Sequence, residues 1–189
     1  MEDLDVVCGT QASIIKCDFG TLGCATCFDL NYDQLRQQYV AAKPDILLFP
    51  ALFHGGLLQA YWAYSCRAHF VSAIGYGGLR SGIISPTGEM LTSTTVYQDY
   101  VSAEVNLDCC LVHLDYNREK LKALKARYGR RVSITDPDLI GSVLITSETV
   151  EKTVTEMVRE FEIELLDDYL NRCLAVQANH GVNKVSDDQ

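Results

Sequence analysis

Residues 13 to 19 and 22 to 28 alternate or stay apolar on either side of Gly20-Thr21, the pattern of a hairpin whose second strand leads to Cys27. Asn31 with Gln34 three positions on forms a capping-box pattern, and Leu35, Tyr39 and Val40 give the apolar face of a helix that Pro44 stops. Ile46 to Phe49 is unbroken apolar sequence, as in a strand covered on both faces, and Pro50 is expected to end it. A helix from about Leu57 to Phe70 is predicted next, with Leu58, Tyr61, Trp62, Ser65 and Cys66 along one side.

Four short runs, 71 to 76, 80 to 85, 90 to 96 and 101 to 107, then read as strands of one sheet. They are separated by Gly77-Gly78, Pro86-Thr87-Gly88 and Gln98-Asp99. The pattern turns helical from Asp115 to Tyr128, and a loop holding Gly129 and Pro137 follows. Residues 147 to 173 predict one long helix capped by Ser147, with Glu148 and Glu151 in its first turns. Its stripe is Val150, Val154, Met157, Phe161 and Leu165, continuing through Leu166, Tyr169, Leu170 and Cys173. From Asn179 the chain is expected to fray. The pattern is that of an α/β protein with a mixed sheet and a long C-terminal helix.

A chain of 189 residues, 48% hydrophobic and 22% charged, fits one ordinary folded domain that buries roughly 70% of its unfolded surface. The net charge of −9 argues against binding to nucleic acid or an anionic membrane, which needs clustered lysine and arginine. The basic residues between Lys120 and Arg131 are interleaved with Leu121 and Leu124, as on the solvated face of a helix. An acidic N-terminus without an apolar core, and no apolar run of about 18 residues, lead to the expectation of a cytoplasmic protein. Eight cysteines without a secretory signal then read as free thiols, most of them small core hydrophobes. No cofactor is called for by any motif.

The segment with most chemical content is Gly23-Cys24-Ala25-Thr26-Cys27-Phe28-Asp29. A strand ending in a cysteine just before a helix start delivers the sulfur to a sheet edge, where backbone N–H dipoles favour the thiolate. Further along stand Lys43-Pro44-Asp45 with the apolar strand to Pro50-Ala51, Trp62 with Cys66-Arg67-Ala68, Gly82 to Gly88 around Pro86, and Ala103 to Asp108. In order and approximate spacing this series, covering residues 14 to 120, resembles the second half of the nitrilase (carbon-nitrogen hydrolase) superfamily domain.

The resemblance implies half of a four-layer αββα sandwich, with Cys27 as nucleophile and Phe28, Ala51, Phe53 and His54 beside the substrate. It implies hydrolysis of a non-peptide C–N bond in an amide, N-carbamyl compound or nitrile through a thioester. The family's general-base glutamate and its lysine lie well upstream of the cysteine, and neither has a counterpart among the 26 residues before Cys27, where Lys16 lies in a strand. A truncated, catalytically silent module acting through association is therefore the alternative. Either way a partner is expected, a second copy or a separate N-terminal half, to cover an otherwise open sheet face. The expected division is a partial hydrolase domain over 1–128, a loop and helical extension over 129–178, and a disordered tail over 179–189.

Competing readings of the same residues are weaker. Cys24 and Cys27 form a C-x-x-C, but no second pair of metal ligands has matching spacing, so no metal site is expected. A thioredoxin-like pair needs its exposed cysteine first, at a helix start. A cysteine-histidine dyad would use His54, which follows the end of the Ile46 strand, and its bland reading is a loop histidine before Gly55-Gly56. Asp29 reads as a turn or cap residue.

Overall fold

The computed structural model describes residues 9–185, and the chain divides between Leu107 and Asp108 into two compact units. The first unit contains β1 (Ile14–Cys17), β2 (Gly20–Cys24), α1 (Asp33–Ala42), β3 (Ile46–Ala51), α2 (Leu57–Cys66), β4 (His69–Ile74), β5 (Gly82–Ile84) and β6 (Met90–Ser93). The strands form one mixed sheet in the order β1-β2-β3-β4-β5-β6. β2, β3 and β4 are parallel, and antiparallel strands flank them on both sides.

Leu47, Phe49, Phe70 and Ile84 project from the sheet into a core closed by Tyr39 and Trp62 of the helices. Gly23 permits the close approach of α1, because a Cβ there would lie 2.7 Å from Tyr39 Cε1 and 2.8 Å from Leu47 Cδ2. The start of β3 is pinned to β2 by Asp45, whose Oδ2 accepts the Thr21 N–H and the Thr21 hydroxyl, both at 2.7 Å. On the opposite face of the sheet Ile15 is 58% exposed, while Leu22, Ile46, Leu48 and Val71 are half-buried.

Several expectations need correction. Pro50 does not end β3. Leu48 O accepts the Ala25 N–H at 3.0 Å on the β2 side and Ala51 O accepts the Gly75 N–H at 2.8 Å on the β4 side. By alternation Pro50 directs its nitrogen toward β2, which has already ended at Cys24, so no ladder bond is lost. The second helix stops at Cys66, where Arg67 takes a left-handed φ of 57°, and Phe70 belongs to β4. Tyr32 replaces Asn31 as the cap of α1. Residues 101–107 form no strand, since alternation supplies no ladder partner by itself.

The second unit contains β7 (Cys109–His113), α3 (Arg118–Tyr128), β8 (Val132–Thr135), β9 (Ser142–Ser147), α4 (Val154–Glu160) and α5 (Leu166–Val185). Its antiparallel sheet runs β7-β9-β8, with Val112, Leu124, Ile145 and Met157 in the core. The expected loop after Tyr128 thus holds two strands. The predicted helix from 147 to 173 is two helices. Ser147 ends β9, and its hydroxyl donates to the Lys152 carbonyl at 2.7 Å. The working cap is Thr153, whose hydroxyl accepts the Glu156 N–H and whose own N–H donates to the Glu156 carboxylate at 2.8 Å. Glu162, with φ 51°, turns the chain between α4 and α5. Val150 is fully exposed rather than part of a stripe. α5 continues through Val185 where fraying was expected from Asn179, and residues 186–189 lie outside those described.

Candidate active site

Because β2, β3 and β4 are parallel, their C-terminal ends at Cys24, Ala51 and Ile74 lie along one rim of the sheet. In sheets of this kind ligands bind beyond the carboxyl ends of strands. The connection that leaves β2 passes through extended Ala25 and Thr26 and enters a 3-10 turn, Cys27–Asn31. Cys27 therefore opens the turn and does not end the strand. Its φ is 51°, in the left-handed region that a residue with a side chain enters only at a cost of order 1–3 kcal/mol. Nucleophiles set on a sharp strand-to-helix turn share this kind of strained backbone.

The surroundings hold the turn in place. The Asp29 carboxylate accepts the Thr26 N–H at 2.8 Å, and the Trp62 indole N–H donates to the Leu30 carbonyl at 3.1 Å. Tyr39 donates its hydroxyl to the Cys24 carbonyl at 2.7 Å, and burial pushes that hydroxyl's pKa up, so it stays protonated. Cys27 is half-buried and a free thiol, and its sulfur has no hydrogen-bond partner among the described residues.

Phe28 and Phe53 are brought together, with ring centroids 6.2 Å apart, and Phe53 continues to Phe49 at 6.5 Å. This aromatic series runs from exposed Phe28 to the buried core, giving an apolar wall beside the turn. Ala51 is half-buried at the end of β3. His54 accepts the Gly56 N–H on Nδ1 at 3.1 Å. A neutral imidazole accepting on Nδ1 carries its proton on Nε2, so His54 offers a donor there and no lone pair for a thiol proton. The dyad is disfavoured on this ground. The neighbouring Gln59, overlooked in the sequence, donates Nε2 to the His54 carbonyl, and its buried Oε1 has no partner among the described residues. An amide at an inward helix position was the available signal.

Cys24, three residues before Cys27, is exposed and lies in the strand, while Cys27 is in the turn. No group of three metal-binding side chains occurs among the described residues. No helix among them is long and apolar enough to cross a membrane.

No family model matches the chain. It is 24% identical over 157 residues to the chloroplastic omega-amidase of Arabidopsis thaliana, covering 75% of this chain and 42% of that protein. By sequence the chain is similar to this amidase over three quarters of its own length. It spans less than half the length of this curated relative. Among solved structures, a mutant of the Nesterenkonia AN1 amidase from the nitrilase superfamily is 18% identical, with a TM-score of 0.42 over 48% of this chain and 40% of the other. Saccharomyces cerevisiae Nit3, of branch 10 of the nitrilase superfamily, is 17% identical, with a TM-score of 0.42 over 46% and 37%.

Proposed function

We propose that Cys27 is the nucleophile of an amidase-type carbon-nitrogen hydrolase. The observation that carries this reading is the left-handed backbone of Cys27 at the carboxyl rim of three parallel strands. The omega-amidase relationship supports the reaction class. The Cys27 thiolate attacks the carbonyl carbon of an amide or N-carbamyl compound, or a nitrile carbon. With an amide, the C–N bond breaks as the amine leaves with a proton, and the acyl group stays on sulfur as a thioester. Water then cleaves the C–S bond, releasing the carboxylic acid and the thiol. The Asp29 N–H is held by the Thr26 carbonyl, so the Phe28 N–H is the turn donor that would face the developing oxyanion.

Two parts of that chemistry, the acid/base and the charged oxyanion partner, fall in the family to a glutamate and a lysine that have no counterpart assigned in this chain. An acid/base contributes roughly 10²- to 10⁴-fold and an oxyanion donor roughly 10²- to 10³-fold. We therefore infer that the chain by itself turns over simple amides slowly and works with a segment or subunit that supplies both groups. Alkylation by iodoacetamide at neutral pH tests the nucleophile. Cys66 and Cys110 are internal standards, because burial pushes their thiols up to about 12. Cys27 is expected to label much faster than either, and labelling at their rate would refute an activated thiol.

The second reading is a silent module that acts through association. One observation favours it: α5 beyond Tyr169 exposes Leu170, Leu174 and Val176. Slow labelling of Cys27 together with a concentration-dependent dimer would select this reading.

A further inference from the structure

At the same carboxyl rim, beyond the end of β4, lies a cavity of about 520 Å³ that none of the roles above uses. It is bounded by the segment Ile74–Ser81 and by residues 94–96 and Asp99. The volume falls in the range of small-molecule sites, roughly 300–1,000 Å³. Gly78 needs its glycine for a φ of 85°, but Gly77 has no such backbone requirement. A Cβ at Gly77 would meet nothing within 4 Å, so no packing contact demands glycine there either.

Two charged residues of opposite sign, Arg80 and Asp99, line this cavity. Both are exposed, and neither pairs with the other or with any other described residue. Three hydroxyls of the lining accept backbone N–H groups. Ser81 Oγ accepts the Ile74 N–H at 2.8 Å, Thr94 Oγ1 accepts the Ser81 N–H at 3.0 Å, and Thr95 Oγ1 accepts the Tyr97 N–H at 3.2 Å. The walls are thus fixed by their own hydrogen bonds while the two charges remain available. A dianion such as phosphate would meet Asp99 unfavourably, and a simple cation would meet Arg80 in the same way.

We propose that this cavity binds a small zwitterion of the α-amino-acid class, its carboxylate on Arg80 and its ammonium on Asp99. The inference is independent of the role of Cys27, which does not line the cavity.

The test is a titration of the full chain with L-alanine, propionate and ethylamine, followed by NMR on the Gly77 and Gly78 amides. Alanine is expected to bind about tenfold more tightly than either single-charge analogue, the size of one charge-assisted hydrogen bond. Arg80→Gln and Asp99→Asn should each remove that advantage. Cys27→Ala should leave alanine binding intact. Equal binding of the three probes, no binding of alanine, or alanine binding unaffected by Arg80→Gln and Asp99→Asn would overturn the proposal.

Discussion

Thr26 and Asp29 close on each other in both directions across the turn that carries Cys27. The Thr26 N–H reaches the Asp29 carboxylate at 2.8 Å, and the Asp29 N–H reaches the Thr26 carbonyl at 3.0 Å. Between them Cys27 is held at a positive φ that its own side chain disfavours. The pair offsets that strain locally, which links a short sequence, Thr-Cys-Phe-Asp, to the presentation of a sulfur at the sheet rim.

Asp29→Ala removes one arm of this closure. It is expected to destabilise the protein by about 1 kcal/mol, as loss of a helix cap does. It should also slow alkylation of Cys27 while leaving that of exposed Cys173 unchanged. Urea denaturation and peptide-resolved labelling measure the two effects.

Much of the first unit was legible because its signals are local. The hairpin before Cys27, the Ile46 strand and the Asp29 turn each declare themselves within a few residues. The left-handed backbone at Cys27 was not, since nothing in a cysteine announces a positive φ. Nor was the tautomer of His54, which is set by a loop N–H two residues on. In the second unit Gly129, Pro137 and Gly141 concealed the four-residue β8 and the six-residue β9, and β9 acquires its place by pairing with β7 on one side and β8 on the other. The C-terminal helices merged because their stripes are in phase, and the break depends on the backbone of Glu162.

Trp62→Phe probes the tie between α2 and the Cys27 turn. Phenylalanine keeps most of the buried ring but leaves the Leu30 carbonyl, in a buried residue, without the indole donor. The expected cost is about 1 to 3 kcal/mol. Trp62 is the sole tryptophan, so the comparison is made by circular dichroism in urea rather than by fluorescence.

His69 sets an acid limit on stability. It is 4% exposed, and burial holds its pKa below the ordinary value, with Asp45 partly opposing. The unfolded chain then binds the proton more readily, so stability is fully present above about pH 6.5 and is lost as pH falls from there toward the folded pKa. The slope is at most about 1.4 kcal/mol per pH unit. Glu156 and Glu160 are held below their ordinary range by hydrogen bonds, chiefly to Thr153 and to Lys152 respectively, and their effect begins only below about pH 4.5. Urea midpoints between pH 5 and 7 should fall with pH in the native chain and flatten in His69→Phe.

The most direct measurement of the role of Cys27 is mass spectrometry of the acid-quenched chain after brief exposure to a small activated acyl ester, with each cysteine peptide resolved. The expected result is one acyl group on the Cys27 peptide, formed ahead of any on exposed Cys24 or Cys173 and absent in Cys27→Ala. Acylation that simply follows exposure, with Cys24 and Cys173 modified first and total uptake unchanged in Cys27→Ala, would contradict Cys27 as the nucleophile.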